Sequence, residues 1–391
     1  MKTPYFVIHK QQLDDSIAQL NSAIEHWWPK TIAGYSFKTN SLPWVIRYMK
    51  SCGFRAEVVS DDEYELARRC GYVPNEIIYN GIAKSKETFC EALTGGSIVN
   101  LDSEREIRWV CEMPANQTYK VGLRVNFDLE QMCPGQTQCG TDGGRFGFCY
   151  ENGQLKHAID RLNAKDNILI SGLHLHCSSK TRSLDIYQAI AQMACIIAEE
   201  YQLNLEYVDI GGGFFGGLSD RPGFFQYLQA VEEILSKTFD KNEVTLIVEP
   251  GMSVIGAPIS YVTSVVDVKE TAYNCFVVTD GGRTHIDPFL HKLSYFSEVN
   301  FNGGTADRPL LDKQIISGFT CMENDRLFEL KLSPMLKEGD QIIYRKVGAY
   351  TINLASQFIK FFPDVYLEEQ GTMKKIQERW TAVQLLRGGA E

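Results

Sequence analysis

Short apolar runs alternate with amphipathic helical stretches along residues 30–250. The strand-like runs cover 31–37, 56–60, 76–80, 97–101, 119–126, 167–177, 205–213 and 245–251. The helical stretches cover 42–53, 61–71, 86–96, 102–112, 154–163, 184–201 and 223–239. A strand followed by a helix, repeated in this way, predicts βα units and a parallel sheet. The number of units fits a closed (β/α)8 barrel, and a doubly wound open sheet fits the periodicity nearly as well.

The pattern changes after residue 250. The segments 260–270, 275–281, 313–321 and 340–348 are β-rich and separated by glycine-containing turns, and no regular helix is expected until about residue 351. This pattern predicts a mainly antiparallel β domain. We therefore expect an α/β chain with a TIM-like barrel over 25–255. A β domain with C-terminal helices would combine 1–24 with 256–391, because the opening TPYFVIHK is itself strand-like.

Composition narrows the range of functions. The chain has 391 residues, which favours two domains, and a net charge of −10 without a Lys/Arg block, which argues against a nucleic-acid partner. No run of 18 apolar residues and no secretory signal is found at the sequence level, so we expect a cytoplasmic protein without a membrane partner. In a chain without a secretory signal the eleven cysteines should mostly be reduced thiols, and because none of them forms a CxxC pair a zinc site has little support.

Two candidate chemical groups follow predicted barrel strands. Lys38 ends the first barrel strand, where a desolvated lysine can form a Schiff base with a carbonyl compound; a rim lysine paired with an acid is the alternative. His174 and His176 share one face of a later strand. They could ligate a metal, stack on a cofactor ring, or be hydrogen-bonded core residues.

Two further strand ends point toward a phosphorylated cofactor. VDIGGGFFGG (208–217) runs from a strand into three glycines, whose backbone N–H groups can cradle a phosphate; a tight turn is the alternative. Glu249, in IVEPG, could hold a proton on a pyridinium nitrogen or form a structural ion pair. In the β domain, Cys321 and Tyr350 lie in turns and carry no specific signal alone.

Taken together and in this order, these segments resemble the fold-type III pyridoxal-phosphate decarboxylases, the ornithine and diaminopimelate decarboxylase family. The quoted matches are YSFKTN, VVSDDEYELARRCG, YNGIAKS, LRVNFD with GGRFGF, HLHCSS, DIGGGF, EPG, GFTCMENDRL and GAYT. The resemblance implies pyridoxal 5'-phosphate as cofactor and an alanine racemase-like architecture. It assigns the Schiff base to Lys38, the ring stack to His176, the pyridine nitrogen to Glu249, and phosphate contacts to Ser179, Gly211, Gly212, Gly213 and Tyr350.

The same resemblance assigns roles in the β domain. It implies Cys321 as the proton donor, Asp325 as a substrate contact, and a homodimer in which both would enter the partner's active site. It also implies a small amino-acid substrate.

Three positions depart from the family pattern. Met252 replaces the arginine that usually follows EPG, so that phosphate affinity is lower or Arg283 compensates. Ser178 replaces a glycine before the motif serine. Met322 replaces the acid that usually binds the distal amine, with Glu323 one place later.

The prediction is therefore a carboxy-lyase acting on a diamino acid or on a derivative with a modified distal group, such as a siderophore or other natural-product intermediate. Three alternatives stay open at this stage: an amino-acid racemase of the same fold, a non-enzymatic pyridoxal-phosphate carrier, and a metal-dependent barrel hydrolase using His174 and His176. The carrier is disfavoured because such proteins lack the C-terminal β domain.

Overall fold

Residues 1–386 are described by the structure, a computed structural model, and they fall into two units. One unit is Ser16–Ser253, and the other joins Met1–Asp15 to the chain from Val254 onward. The chain opens with β1 (Tyr5–His9), and the boundary between the units falls inside the following helix, α1 (Lys10–Trp27). In the part of the chain that the structure describes, no helix is both long enough and apolar enough to span a bilayer.

The first unit is a closed parallel barrel. Its eight wall strands, with a two-residue strand beside the fifth, are β2 (Thr31–Ser36), β3 (Arg55–Val58), β4 (Ile77–Tyr79), β5 (Ile98–Leu101), β6 (Tyr119–Asn126), β7 (Phe148–Cys149, the short one), β8 (Ile168–His174), β9 (Tyr207–Asp209) and β10 (Thr245–Val248). The pairing of β10 with β2 completes the ring of neighbours. The closed barrel is thus confirmed over the open sheet.

Helices follow the strands, and all but the two four-residue helices, Leu129–Met132 and Met252–Ile255, correspond to predicted helical stretches. They are α2 (Pro43–Ser51), α3 (Asp61–Arg69), α4 (Lys86–Thr94), α5 (Glu104–Cys111), α6 (Leu129–Met132), α7 (Gln154–Asn163), α8 (Leu184–Glu200), α9 (Phe224–Leu235) and α10 (Met252–Ile255). Ser60 caps α3, because its hydroxyl accepts the backbone N–H of Glu63 at 3.2 Å. The Glu63 carboxylate in turn accepts the N–H of Val59 at 2.8 Å, close to a capping box.

A tyrosine fills the barrel below its mouth. Tyr207 is buried with Ile78 and Ile247, and two glycines on neighbouring strands leave room for its ring. A Cβ added to Gly122 or Gly172 would lie 2.1 Å from atoms of Tyr207. The Tyr207 hydroxyl donates to Asn100 at 2.7 Å, so this layer of the core also supports the polar groups above it.

The second unit contains a mainly antiparallel sheet, as predicted. Its remaining elements are β11 (Ile259–Glu270), β12 (Cys275–Thr279), α11 (Arg283–Ile286), β13 (Phe296–Asn300), β14 (Leu310–Ser317), β15 (Arg326–Pro334), β16 (Gln341–Arg345), β17 (Asp364–Glu369), β18 (Thr372–Gln377) and α12 (Ala382–Leu386). β1 lies between β11, to which it is antiparallel, and β17, to which it is parallel. Its core includes Tyr5, Val7, Val262 and Tyr366.

The helix expected near residue 351 is wrong. Residues 351–354 form a bend and turns, and the chain continues into the hairpin of β17 and β18. Tyr350 has a φ of 55°, which interrupts any helix starting there. The buried Thr351 hydroxyl donates to the Val347 carbonyl at 2.6 Å, a local bond that competes with helix formation.

Candidate active site

The barrel brings its predicted chemical groups to one mouth. Lys38 lies in the short 3-10 turn Phe37–Thr39 after β2, His174 ends β8, and Glu249 follows β10. Parallel strands of a barrel present their C-terminal ends on the same side, so these side chains converge. The structure also places there three residues that the sequence did not single out: Glu57, Asn80 and Asp209.

Lys38 is held by a buried carboxylate. Its Nζ lies 2.6 Å from Oε2 of Glu57, whose side chain is 1% exposed while that of Lys38 is 38% exposed. Ser36 donates to the same oxygen at 2.6 Å. Burial by itself would raise the pKa of Glu57, but the Lys38 ammonium and the hydrogen bonds from Ser36 and Asn80 lower it overall. The Lys38 ammonium therefore pairs with an ionised carboxylate, while part of the lysine side chain stays exposed to solvent.

Asn80 connects the lysine's partner with the predicted ring-nitrogen residue. Its Nδ2 donates to Glu57 Oε1 at 3.1 Å and to Glu249 Oε1 at 2.6 Å. Its Oδ1 accepts from Asn100 at 2.8 Å, and Asn100 in turn accepts from Tyr207. These groups are buried, and each forms a hydrogen bond with the next one in the series. This network fixes the orientation of the Glu57 and Glu249 carboxylates.

Glu249 belongs to a buried cluster. His174, Asp209 and Glu249 each offer an atom within 4.8 Å of the others, and His174 Nε2 lies 3.7 Å from Glu249 Oε2. Burial raises the pKa of Glu249 well above its ordinary value, and the nearby Asp209 and Glu57 carboxylates raise it further. Burial likewise raises the pKa of Asp209 to about 7. These carboxyl groups therefore retain protons that a basic ring nitrogen could share.

His176 presents a neutral ring. Burial and then the Arg124 guanidinium lower its pKa to about 3, so the imidazole is uncharged at neutral pH. Its Nδ1 accepts the Gly212 N–H at 3.3 Å, which leaves the proton on Nε2. The ring also packs on the glycine loop, since a Cβ on Gly211 would lie 2.4 Å from it. A neutral flat ring fixed in this way suits stacking on an aromatic cofactor.

The glycine loop has the backbone of an anion cradle. Gly211 and Gly213 have φ values of 70° and 92°, and a Cβ on Gly212 would lie 2.1 Å from the Glu249 carbonyl oxygen. Within residues 1–386, the amides of Gly213 and Phe214 have no protein acceptor. Open N–H groups without side chains in the way fit a phosphate.

Pyridoxal phosphate fits this set of groups. A lysine amine can bond covalently to its aldehyde, the protonated carboxyl cluster suits its pyridine nitrogen, and the glycine loop suits its phosphate. Both ring nitrogens of the buried His174 in this cluster have no hydrogen-bond partner among the described residues. Ser179 is half-buried next to the loop that carries His176, with its Oγ accepting from the backbone of Arg182 at 2.8 Å.

The β domain holds the remaining predicted residues in two turns. Cys321 is exposed, Met322 is half-buried, and Glu323 is 96% exposed at 3.1 Å from Arg326. Tyr350 is 40% exposed on the turn after β16.

The buried Asp325 stabilises the turn that carries Cys321 through hydrogen bonds. It is 2% exposed, and its carboxylate accepts from the Arg283 amide at 2.9 Å and from the Thr320 hydroxyl at 2.7 Å. A Cβ on Gly318 would lie 2.2 Å from one of its oxygens. These bonds orient the segment that carries Cys321.

A family model and several known proteins are similar to this chain. A family model described as the pyridoxal binding domain of pyridoxal-dependent decarboxylases matches residues 14–256. A probable chloroplastic diaminopimelate decarboxylase of Oryza sativa subsp. japonica is 28% identical, over 96% of this chain and 77% of its own length. The diaminopimelate decarboxylase of Staphylococcus aureus strain COL is 25% identical, over 98% of this chain and 93% of its own length.

Solved structures share the fold over the whole chain. Diaminopimelate decarboxylase from M. jannaschii superposes with a TM-score of 0.87 at 22% identity, covering 100% of this chain and 93% of that one. Diaminopimelate decarboxylase from Helicobacter pylori, complexed with L-lysine, has a TM-score of 0.83 at 22% identity and covers 99% and 96%. At these identities the likeness concerns the fold.

Proposed function

The chain belongs to the family of pyridoxal-dependent decarboxylases, and on that premise we propose that it decarboxylates a diamino acid or a derivative with a modified distal group. It is a pyridoxal-phosphate-dependent carboxy-lyase that acts on an amino acid. This assignment favours the decarboxylase over the three alternatives, namely a racemase, a carrier and a metal-dependent hydrolase.

Bound pyridoxal phosphate supplies the electron-withdrawing ring that makes loss of CO2 feasible. In our proposal the Lys38 Nζ would hold the cofactor covalently, with Glu57 beside it. Glu249 holds a proton at the pyridine nitrogen, and Asn80 orients its carboxylate through the bond at 2.6 Å. His176 supports the ring, and the glycine loop with Ser179 and Tyr350 binds the phosphate. Cys321 would deliver a proton to Cα, and Asp325, whose hydrogen bonds orient that turn, would contact the substrate.

Absorbance of the purified protein tests the lysine and its partners. The wild type should show the visible band of a bound cofactor, and borohydride should fix the cofactor to the protein. Lys38→Ala should lose both properties. Lys86→Ala is the matched control, since Lys86 is an exposed lysine paired with Glu112 at 2.6 Å. A Lys38→Ala protein that still retains the cofactor covalently would refute the assignment of Lys38.

The proposed substrate preference is based on Met322, the residue after Cys321. Met322 is half-buried and offers a thioether where the family pattern has an acid. The Glu323 carboxylate extends into solvent and pairs with Arg326, so we do not expect it to replace the acid that is missing at position 322. A thioether cannot neutralise a distal ammonium, whereas it packs well against an acyl or alkyl group. We therefore place diamino acids with a masked distal amine ahead of free lysine or ornithine.

Release of CO2 from a panel of amino acids tests this order. The panel pairs meso-diaminopimelate, L-lysine and L-ornithine with derivatives acylated on the distal amine. We expect kcat/KM to favour an acylated substrate by roughly tenfold or more, and Met322→Glu to reverse the preference. A wild-type preference for meso-diaminopimelate would reject the masked-amine proposal and leave the decarboxylase intact. Racemisation without CO2 would reject decarboxylation itself.

We also propose that the protein forms a homodimer with shared active sites. The β domain exposes several large apolar side chains, namely Tyr273, Phe289, Leu293, Phe296, Leu310 and Leu332. A second subunit packed on these side chains would remove their apolar surface from water.

Complementation tests the shared site. Lys38→Ala and Cys321→Ala should each be inactive alone, and unfolding and refolding them together should restore about a quarter of wild-type activity if each site uses both subunits. Absence of any recovery, with dimers present by light scattering, would refute the sharing.

A further inference from the structure

Arg182 is fixed beside the loops that form the proposed phosphate site. It lies between the HLHCSS segment and α8, and its φ is 52°. Its backbone N–H donates to Ser179 Oγ at 2.8 Å, and its carbonyl accepts the Tyr227 hydroxyl at 2.6 Å. These two bonds hold the backbone of Arg182 in the left-handed region, which fixes where its side chain leaves the chain.

The guanidinium of Arg182 is flanked by both loops. Its Nη1 lies 3.4 Å from Sδ of Met252, the residue after EPG, and its central carbon lies 5.1 Å from the ring centre of Phe215, which follows the glycine loop. The two loops are in close contact, since a Cβ on Gly216 would lie 1.9 Å from the Ser253 carbonyl oxygen. The positive charge of Arg182 therefore lies close both to the loop after EPG and to the glycine loop.

Arg182 has no carboxylate partner among residues 1–386, and the thioether of Met252 is a weak acceptor. Arg221 provides a contrast, because it lies 5.4 Å from the centre of the same Phe215 ring but has Asp220 at 3.8 Å. The half-buried guanidinium of Arg182 therefore keeps donors for an anion.

Arg283 is unsuited to compensate for Met252. Its Nε and Nη2 are bonded to the buried Asp287 carboxylate at 3.0 and 2.5 Å, and its Nη2 also donates to the Lys292 carbonyl. An arginine committed to an ion pair within its own unit has little capacity left for a phosphate.

We propose that Arg182 is the cationic ligand of the cofactor's phosphate, in the role that an arginine at position 252 would otherwise fill. The inference rests on the proposed phosphate site at the glycine loop. It also explains the thioether at 252: an arginine there would put two guanidinium groups in contact, whereas methionine packs against the one from Arg182.

Affinities of the apoprotein for pyridoxal phosphate and for pyridoxal, which lacks the phosphate, test the proposal. We expect Arg182→Gln to raise the Kd for pyridoxal phosphate by roughly tenfold to a hundredfold, the worth of a charged hydrogen bond, and to leave the Kd for pyridoxal unchanged. Arg221→Gln is the matched control and should change neither value. Adding Met252→Arg to Arg182→Gln should restore most of the affinity, because it returns one guanidinium to the same junction.

An unchanged Kd for pyridoxal phosphate in Arg182→Gln would overturn the proposal. Equal weakening of both ligands would also overturn it, because that result indicates a structural role. If the wild type binds pyridoxal as tightly as pyridoxal phosphate, the phosphate site at the glycine loop fails as well, which separates the two failures.

Discussion

Replacing Asp209 by asparagine should make the apoprotein more stable, by an amount that grows with pH. Asp209 is fully buried, and its Oδ1 accepts the Gly211 N–H at 2.8 Å. Asparagine keeps a side-chain oxygen that can accept the Gly211 N–H, and its amide cannot ionise. The substitution therefore removes a buried charge without removing the bond that anchors the glycine loop.

The direction and the size of this change in stability follow from the pKa of Asp209. Burial raises that pKa from 3.8 to about 7. Unfolding then releases a proton at any pH between these values, so the wild type loses stability as the pH rises through this interval. Each pH unit removes about 1.4 kcal/mol, or about 3 kcal/mol between pH 5 and 7. Because Asp209 and Glu249 titrate together, this amount belongs to the pair.

Thermal unfolding of the apoprotein between pH 5 and 8 measures the effect. The difference in Tm between Asp209→Asn and wild type should widen from pH 5 to 7 and then level off, at roughly 2–4 °C for each kcal/mol. Asp166→Asn removes the same charge from an exposed site and should follow the wild type throughout. If the Asp209→Asn and wild-type profiles run parallel, Asp209 is ionised in the folded protein at pH 5 and the argument from burial fails.

Three further perturbations have defined outcomes. Glu57→Gln should lower the free energy of unfolding of the apoprotein by about 1–3 kcal/mol at pH 7, because Lys38 loses its counter-charge; since the folded pKa of Glu57 is depressed, denaturant titrations should show this deficit shrinking as the pH falls below the ordinary glutamate pKa. Gly212→Ala should abolish cofactor binding in an absorbance titration, because its Cβ would overlap the Glu249 carbonyl. Ser60→Ala should cost about 1 kcal/mol through loss of the α3 cap, measured as a lower Tm with no change in cofactor affinity.

The barrel could be predicted from sequence because its signals are local. β6 and α7 have the predicted bounds, Tyr119–Asn126 and Gln154–Asn163, since strand periodicity and helix punctuation lie within each segment. α1 was missed although Leu13, Ile17 and Leu20 are buried at helical spacing. The β17–β18 hairpin was missed too, and its signal was the Gln370–Gly371 pair, where both residues have positive φ.

The site could be predicted only as a set of residue types. Lys38, His176, Glu249 and the glycines were found because a motif or a strand end marks each of them. Asn80 and Asp209 lie at strand ends and inside the quoted segments YNGIAKS and DIGGGF, but nothing in those segments assigns either residue a role. Their importance comes from contacts with Glu249, which is 169 residues from Asn80 along the chain, and sequence periodicity holds no information on such distances.

The charges at the barrel mouth link cofactor binding to protonation. Glu57, Asp209 and Glu249 are buried carboxyl groups, and the ammonium of Lys38 neutralises Glu57. Burial keeps protons on the Asp209–Glu249 pair near neutral pH. A pyridine nitrogen held by Glu249 competes for one of those protons, and as pyridinium it would compensate the carboxylate left behind. Affinity for pyridoxal phosphate should therefore fall as the pair loses its protons at alkaline pH. Asp209→Asn should flatten that pH dependence, whereas Arg182→Gln should lower the affinity without changing its dependence on pH.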